Sequence, residues 1–276
     1  MESAVFFRPL RSPRYIEYEV NLAAPIARAV GTGMLLSSLL VPTRSSAQEI
    51  GWNGSAEANA SLFFGNTDQW VVAGATRLAF SDSTVEVRGE IRADYAETSV
   101  DSGGSTVSRR AWLASMGVDL APFSRLSPFL LGSAESSLQQ RIARRYSAGF
   151  GGKLTYLQTE DSKLSTSVAI LWERTKVMDG NTNPDLARSR LRWSFRLTGS
   201  RKLDDRIRFT HETFYQPSVR EMEHFTITST STLTFDLTKV LGLTTSLHDT
   251  YDSEARRRGA RSNNDGQFLV GLRARY

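Results

Sequence analysis

Residues 85–95 read VEVRGEIRADY, and apolar or small side chains alternate with charged ones through the whole stretch. Its charged set is Glu86, Arg88, Glu90, Arg92 and Asp94. A helix would scatter the two sets around its axis, whereas an extended strand separates them completely onto two faces. The stretch is therefore predicted to be a β-strand with one apolar and one charged face.

The same period of two recurs along the rest of the chain and predicts twelve strands. They cover 51–64, 69–80, 84–96, 108–120, 128–139, 145–157, 163–174, 187–199, 206–216, 223–237, 241–252 and 265–276. These segments are roughly twice the length usual in soluble proteins, and a bilayer-spanning strand needs about 9–11 residues. Two registers stay open, since strand nine places His211 and strand eleven places Asp249 on the apolar face, where either could mark a β-bulge.

The connections and the aromatic residues favour a membrane barrel over a soluble sandwich. The predicted turns at 81–83, 121–127, 158–162, 200–205 and 238–240 are mostly short, and they alternate with long polar loops at 97–107, 175–186 and 253–264. Apolar-face aromatics form two belts at the strand ends: Phe64, Trp70, Tyr95, Trp112, Tyr146, Trp172, Tyr215, Phe225, Tyr251 and Phe268 at one, and Trp52, Phe80, Tyr156, Phe235 and Tyr276 at the other. Both features are typical of a transmembrane antiparallel up-and-down β-barrel, all-β, with about 12 strands.

Composition excludes several classes of protein. The 276 residues have a net charge of +5, and their mean hydropathy of -0.31 is too low for a bundle of membrane-spanning helices. With no cysteine, the chain has neither disulfides nor thiolate metal sites. The modest, evenly spread charge and the expected export argue against a nucleic-acid partner.

The first 47 residues are predicted to be a signal peptide. Arg28 precedes the apolar stretch 29–41 (AVGTGMLLSSLLV), and Ser45 and Ala47 occupy the −3 and −1 positions of a cleavage site. The leader is long, so the true translation start can also lie further along the chain. Residues 48–276 are then the mature barrel, exported to the outer membrane of a Gram-negative bacterium.

The end of the chain resembles the signal read by the barrel assembly machinery of the outer membrane. Phe268, Val270, Leu272 and the terminal Tyr276 alternate with polar residues and finish on an aromatic ring. The resemblance implies two partners, namely that machinery and periplasmic chaperones in transit.

Three stretches resemble the salt-induced outer-membrane protein family, whose members are built around a domain of unknown function. The segment 52–57 (WNGSAE), followed by Ser61 and the turn residues 65–67 (GNT), carries the resemblance best. The segments 214–218 (FYQPS) and 265–276 resemble a late turn and the closing strand of that family. The resemblance implies an outer-membrane barrel of unestablished activity, tied to envelope or osmotic stress, and supplies no catalytic residues.

Alternation also assigns residues to the lumen, with an excess of basic side chains. A basic wall is predicted from strand eight and its neighbour: Arg188, Arg190, Arg192, Arg196, Arg206 and Arg208. Such a wall sets anion preference in a narrow pore. The alternative is that these arginines pair with inward carboxylates such as Glu173 and Glu212 and simply fill the barrel.

A second basic feature is the loop 254–261 (EARRRGAR). Outside the cell its arginines would lie beside outer-membrane lipids and lipopolysaccharide, whose phosphates guanidinium groups bind well. The other interpretation is a solvated loop.

Catalysis has little support in the sequence. Three histidines are present, His211, His224 and His248, and none is followed by a serine two residues later in a His-x-Ser arrangement. His248 and Asp249 are adjacent, so on a strand they point to opposite faces. We expect no enzyme, no cofactor and no metal site. Three functions remain open: a structural or stress-related envelope protein, a narrow and weakly anion-preferring passive (porin-like) channel, and, least favoured, an outer-membrane lipid hydrolase.

Overall fold

A computed structural model describes residues 51–63, 69–100, 104–178, 186 and 189–276. The predicted signal peptide, the turn residues 65–67, Phe64 and Arg188 lie outside these residues. Twelve strands make up the described chain: β1 (Gly51–Phe63), β2 (Gln69–Ser81), β3 (Val85–Val100), β4 (Gly104–Leu120), β5 (Leu126–Ser137), β6 (Ile142–Gln158), β7 (Ser162–Val177), β8 (Ser189–Asp204), β9 (Ile207–Pro217), β10 (Phe225–Asp236), β11 (Leu241–Asp252) and β12 (Asn264–Arg275).

The strands form one closed antiparallel barrel. Each strand pairs with the next along the chain, and β12 pairs with β1 to complete the ring. Between β11 and β12 lies a single 3-10 turn, Arg256–Arg258. Among the described residues no helix is long and apolar enough to cross a membrane. The predicted all-β up-and-down barrel of twelve strands is confirmed.

The two faces of the sheet differ as the alternation predicts. On β8, Leu191 and Trp193 point outward with 50% and 37% of their surface exposed, whereas Arg192 between them points inward and is 2% exposed. The other strands repeat this arrangement, so large apolar side chains cover the outer surface and polar side chains fill the interior. A surface of this kind suits hydrocarbon, where the ring of strands satisfies the backbone hydrogen bonds.

The barrel has two distinct ends. We call the end with the tight turns after β2, β4, β6, β8 and β10 the turn end, and the opposite end the loop end. In the first of these turns the Asp82 carboxylate accepts hydrogen bonds from the backbone N–H groups of Thr84 and Val85, both at 2.7 Å, which lowers the pKa of Asp82. Trp52 and Phe80 pack together at the turn end, with ring centroids 5.3 Å apart.

At the loop end a row of five aromatic rings crosses four strands, β8 to β11. Neighbouring centroids are 5.5–6.4 Å apart along the series Trp193, Phe195, Tyr215, Phe225 and Tyr251. Trp70 and Tyr95 form a further pair at 5.3 Å. These rings belong to the aromatic belts expected at the two interfaces of a membrane.

The hairpin of β3 and β4 is longer than predicted, because its ladder continues through residues assigned to a loop. A β-bulge between Ala96 and Glu97 shifts the register there. Beyond the bulge the alternation of apolar and polar residues is out of step with the earlier part of the hairpin, so the sequence no longer predicts a strand. The backbone pairing nevertheless continues to Val100 and Gly104.

The possible bulges at His211 and Asp249 are absent from the register. Pairing of β9, β10 and β11 runs without a shift through both residues, and both stay on the outer face. His211 bonds there to the hydroxyls of Ser231 (2.8 Å) and Thr213 (2.9 Å), which satisfies both ring nitrogens without a change of register.

The closure between β1 and β12 is the shortest pairing in the ring. Five residue pairs join these strands, against thirteen between β1 and β2. The terminal Tyr276 extends the closure, since its backbone exchanges hydrogen bonds of 2.9 and 3.1 Å with Gly54. Its ring lies over Gly54, where a Cβ atom would come within 2.3 Å of the ring.

Candidate functional site: the barrel lumen

The barrel encloses a cavity of about 1820 Å³. Its lining extends from Lys239 and Arg275 at the turn end to Gln140 and Asp265 at the loop end, so one continuous space follows the barrel axis. Eleven lysine and arginine side chains line it, against seven aspartates and glutamates. The lumen therefore has a surplus of positive charge.

Near the loop end a group of buried ion pairs fills one side of the lumen. At its centre Arg145 on β6 contacts Glu135 at 2.9 Å, Asp252 at 3.1 Å and Glu173 at 3.7 Å. Asp252 lies on β11, across the interior from β6, so this contact bridges the barrel. Removal of Arg145 would leave three carboxylates without this shared partner, which is costly for the buried ones among them.

Two arginines of the predicted wall belong to this group. Arg192 lies 2.9 Å from the Glu173 carboxylate and donates to the backbone carbonyls of Gln216 and His224. Arg190 binds Glu254, whose carboxylate it contacts through two nitrogens. We call Arg145, Glu173, Arg190, Arg192, Asp252, Glu254 and Arg258 the loop-end network.

The chain after β11 folds into the mouth of the barrel and completes the network. Arg258 is 3% exposed, donates to an Asp252 carboxylate oxygen at 2.6 Å and donates to the Gln140 carbonyl at 3.0 Å. Gly259 follows with φ 91°, a left-handed conformation that glycine adopts without strain, and it ends the 3-10 turn. This part of the arginine-rich loop therefore faces the lumen, while Arg256 and Arg261 remain exposed.

Two further contacts cross the lumen beside the network. Arg92 on β3 donates to Nε2 of His248 on β11 at 3.2 Å, and the other ring nitrogen of His248 contacts the Thr230 hydroxyl at 2.9 Å. Arg109 on β4 pairs with Asp265 on β12. Together these contacts narrow the loop-end half of the cavity.

The turn-end half has a different electrostatic character. Some of its cations are paired, as Arg77 is with Glu57 at 3.3 Å and Arg88 with Asp119 at 2.7 Å. Four others that line the cavity have no carboxylate within ion-pair distance among the described residues: Lys163, Arg208, Lys239 and Arg273. The surplus of positive charge is therefore concentrated towards the turn end.

The predicted basic wall is divided by the structure. Arg190 and Arg192 join the loop-end network, and Arg196 pairs with Glu212 while its guanidinium lies 5.1 Å from the Phe214 ring centroid. Arg206 is not part of the wall, because it is an exposed residue of the turn before β9. Arg208 lines the cavity without a carboxylate partner.

The residues of the predicted assembly signal lie on the outer face of β12. Phe268, Val270 and Leu272 are 61%, 41% and 52% exposed. Tyr276 is half-buried over Gly54.

Sequence reasoning missed Glu254 and Arg258, which lie outside the strands. The alternation of side chains along β6, β7 and β11 directs Arg145, Glu173 and Asp252 into the lumen, but a loop has no such period from which an inward side chain could be predicted. The only available signal was the acidic residue at the start of an otherwise basic loop.

The three histidines lie in three different environments. His248 is in the lumen, His211 is on the outer face, and His224 follows β9, where its ring contacts Glu221 at 2.7 Å and Arg257 at 2.9 Å. Within the described part of the chain no three metal-binding side chains cluster as a site for an ion.

Comparison with solved structures finds barrels of the outer membrane. The COG4313 outer membrane channel from Pseudomonas putida F1 is 11% identical with a TM-score of 0.45, and the match covers 86% of this chain and 98% of that one. The NanC porin is 9% identical with a TM-score of 0.43, covering 80% and 97%. The KdgM porin, solved in complex with disordered oligogalacturonate, is 10% identical with a TM-score of 0.40, covering 80% and 98%.

At the level of sequence no curated protein matches significantly. One family model does match, and it covers residues 56–276, which is nearly the whole described barrel. Its description is that of a protein of unknown function, in agreement with the family resemblance of the opening and closing strands. The chain belongs to the DUF481 family.

Proposed function

We propose that this protein is a narrow passive channel of the bacterial outer membrane with a preference for anions. The observation that carries the proposal is the continuous cavity, whose lining holds eleven basic and seven acidic side chains. In a confined, poorly screened space an excess of fixed positive charge raises the local concentration of anions and repels cations. The turn end then faces the periplasm, as short turns do in bacterial barrels.

Single-channel recording of the full chain in planar bilayers tests this proposal. In a KCl gradient the wild-type reversal potential should shift towards the equilibrium potential of chloride. Replacing two of the unpaired cations, as in the double variant Lys163→Glu/Lys239→Glu, should move it towards cation preference. The matched variant Arg256→Glu/Arg261→Glu changes the same charge on an exposed loop and should leave the selectivity almost unchanged. Cation preference in the wild type would contradict the proposal.

A second candidate is a closed barrel with a structural or stress-related role in the envelope. The cross-lumen pairs of Arg145 with Asp252 and of Arg109 with Asp265 favour it, because they fill the loop-end half. This candidate predicts a folded, heat-modifiable barrel that conducts no ions at any voltage.

The expected partners are also part of the proposal. Arg256 and Arg261 are two of the exposed arginines of the loop after β11, and we propose that they face lipopolysaccharide phosphates. The outward alternation of β12 and the aromatic side chain of Tyr276 support recognition of the unfolded chain by the barrel assembly machinery. The Tyr276 ring also packs over Gly54, which supports a second role for Tyr276 in closing the barrel between β1 and β12.

A further inference from the structure

The interior wall between β9 and β12 contains two arginines without carboxylate partners. Arg208 on β9 and Arg273 on β12 both line the cavity in its turn-end half. Two strands separate them, which is about 14 Å across the sheet at ~4.8 Å per strand, and Arg273 lies two residues along β12 from Gly271, the residue level with Arg208. Both side chains are long enough to lean towards a common ligand between them.

The side chains between the two arginines are small and polar. The register runs from Arg208 to Thr234 on β10 and Thr244 on β11, and Gly242 lies beside Arg273. Thr234 and Thr244 are 3% and 0% exposed, so other side chains cover both of them, and the Glu57 carboxylate lies against the Thr244 hydroxyl. The recess open to a ligand is therefore the part of the cavity, in front of these covered threonines, that both arginines line.

The carboxylates nearest to this recess are already engaged. Asp236 pairs with Arg275, and Glu57 pairs with Arg77 and accepts a hydrogen bond from Thr244 at 3.2 Å. Arg273 reaches only the Ser55 hydroxyl, at 3.3 Å, and its Nε is buried without a hydrogen-bond partner among the described residues. Two guanidinium groups thus line a confined space without a carboxylate within ion-pair distance, so a bound anion would compensate their charge.

We propose that this recess, which we call the arginine recess, binds a multivalent anion that carries phosphate or carboxylate groups several ångströms apart. Guanidinium groups bind both classes through paired N–H donors. A single halide reaches one of two arginines held this far apart, whereas a chain of anionic groups reaches both. The inference deepens the proposed channel function, and it rests on that proposal only for access to the lumen from the turn end.

The test is calorimetric titration of the folded full chain in detergent with inorganic tripolyphosphate. We expect saturable binding by the wild type and an affinity at least tenfold weaker for Arg208→Gln/Arg273→Gln. The matched variant Arg256→Gln/Arg261→Gln removes the same charge from the exposed loop and should bind as the wild type does. Citrate in place of tripolyphosphate separates carboxylate from phosphate recognition, and chloride should show no saturable binding.

Further variants protect the test against misfolding. Arg208→Gln alone alters an exposed side chain and should fold, with an intermediate loss of affinity. Arg208→Lys/Arg273→Lys retains both charges and should keep most of the binding. The inference is overturned if the wild type shows no saturable binding of either multivalent anion, or if the loop variant loses affinity as the recess variant does.

Conductance is measured separately, so the two proposals fail in different ways. Binding of tripolyphosphate by a barrel that conducts no ions would contradict the channel and leave the recess intact. An anion-preferring conductance without saturable binding would contradict the recess and leave the channel intact.

Discussion

At the scale of single residues, Gly54 explains why an aromatic ring at the end of the chain fits the closed barrel. The ring of Tyr276 occupies the position that a side chain at residue 54 would take, and the two backbones exchange two hydrogen bonds. Gly54 belongs to the WNGSAE stretch that carries the family resemblance. That stretch thus has a structural role in seating the last residue.

Gly54→Val should therefore weaken closure of the ring. Its Cβ would lie 2.3 Å from a ring carbon of Tyr276, so the ring must leave its place, at an expected cost of about 1–3 kcal/mol of unfolding free energy. Gly74→Val is the matched control, because a Cβ there meets its nearest atom at an ordinary 3.6 Å. Urea unfolding in lipid vesicles measures both variants, and equal stabilities would show that the ring does not depend on Gly54.

At the scale of elements, the loop-end network ties β6, β7 and β8 to the chain after β11. Glu173 on β7 is 6% exposed and lies within ion-pair distance of Arg145 and Arg192, on the two strands that flank it. Buried pairs of this kind add little net stability over an apolar core, but breaking one leaves an unpaired charge. The network therefore contributes more to the specificity of the contacts between these strands and the chain after β11 than to the net stability of the barrel.

Arg192→Gln should lower the unfolding free energy by several kcal/mol, because it removes a principal partner of the buried Glu173. Glu173→Gln in the same chain should restore part of the loss by removing the unpaired charge. Arg196→Gln breaks the Arg196–Glu212 pair, whose side chains are 28% and 34% exposed, and should cost less than about 1 kcal/mol. A thermal or urea melt of the three variants decides the matter, and similar losses for Arg192→Gln and Arg196→Gln would contradict the role assigned to burial.

At the scale of the whole molecule, the lumen is asymmetric along its axis. Neutralised pairs and the inward-folded chain after β11 fill much of the loop end, while unpaired cations line the turn end. Ions crossing the barrel would meet a positive vestibule at one end and a constriction at the other. Such an arrangement predicts different currents at positive and negative voltage.

Arg258→Ser should increase the single-channel conductance. The change removes the bonds from Arg258 to Asp252 and to the Gln140 carbonyl, which hold the chain after β11 in the mouth, while Asp252 keeps its pair with Arg145. Arg256→Ser, in the same 3-10 turn but exposed, is the control and should leave the conductance unchanged. Equal conductance in all three proteins would mean that this chain segment does not form the constriction.

Period-two alternation predicts the strands well because a sheet with lipid on one side and water on the other requires neighbouring residues to be alternately apolar and polar. It fails where that constraint ends: β3 and β4 continue past the bulge at Ala96, and Arg258 folds into the lumen from a loop. Alternation also cannot predict which charged groups pair with one another. It predicted that Arg190 and Arg192 face the lumen, but it could not predict a partner that lies outside the strands. The unpaired cations at the turn end could not be predicted, because the sequence does not show which inward arginines are paired with carboxylates.

The short pairing between β1 and β12 has a consequence for the chain before it is complete. Until those five residue pairs form, the sheet has two free edges whose backbone donors and acceptors can add a strand from any other chain. A cysteine-free chain has no covalent cross-link to hold such an intermediate together. Because Tyr276 adds two hydrogen bonds between these edges, a chain that ends at Arg275 would keep its strands but expose the edges longer, and we expect it to aggregate before it loses any strand.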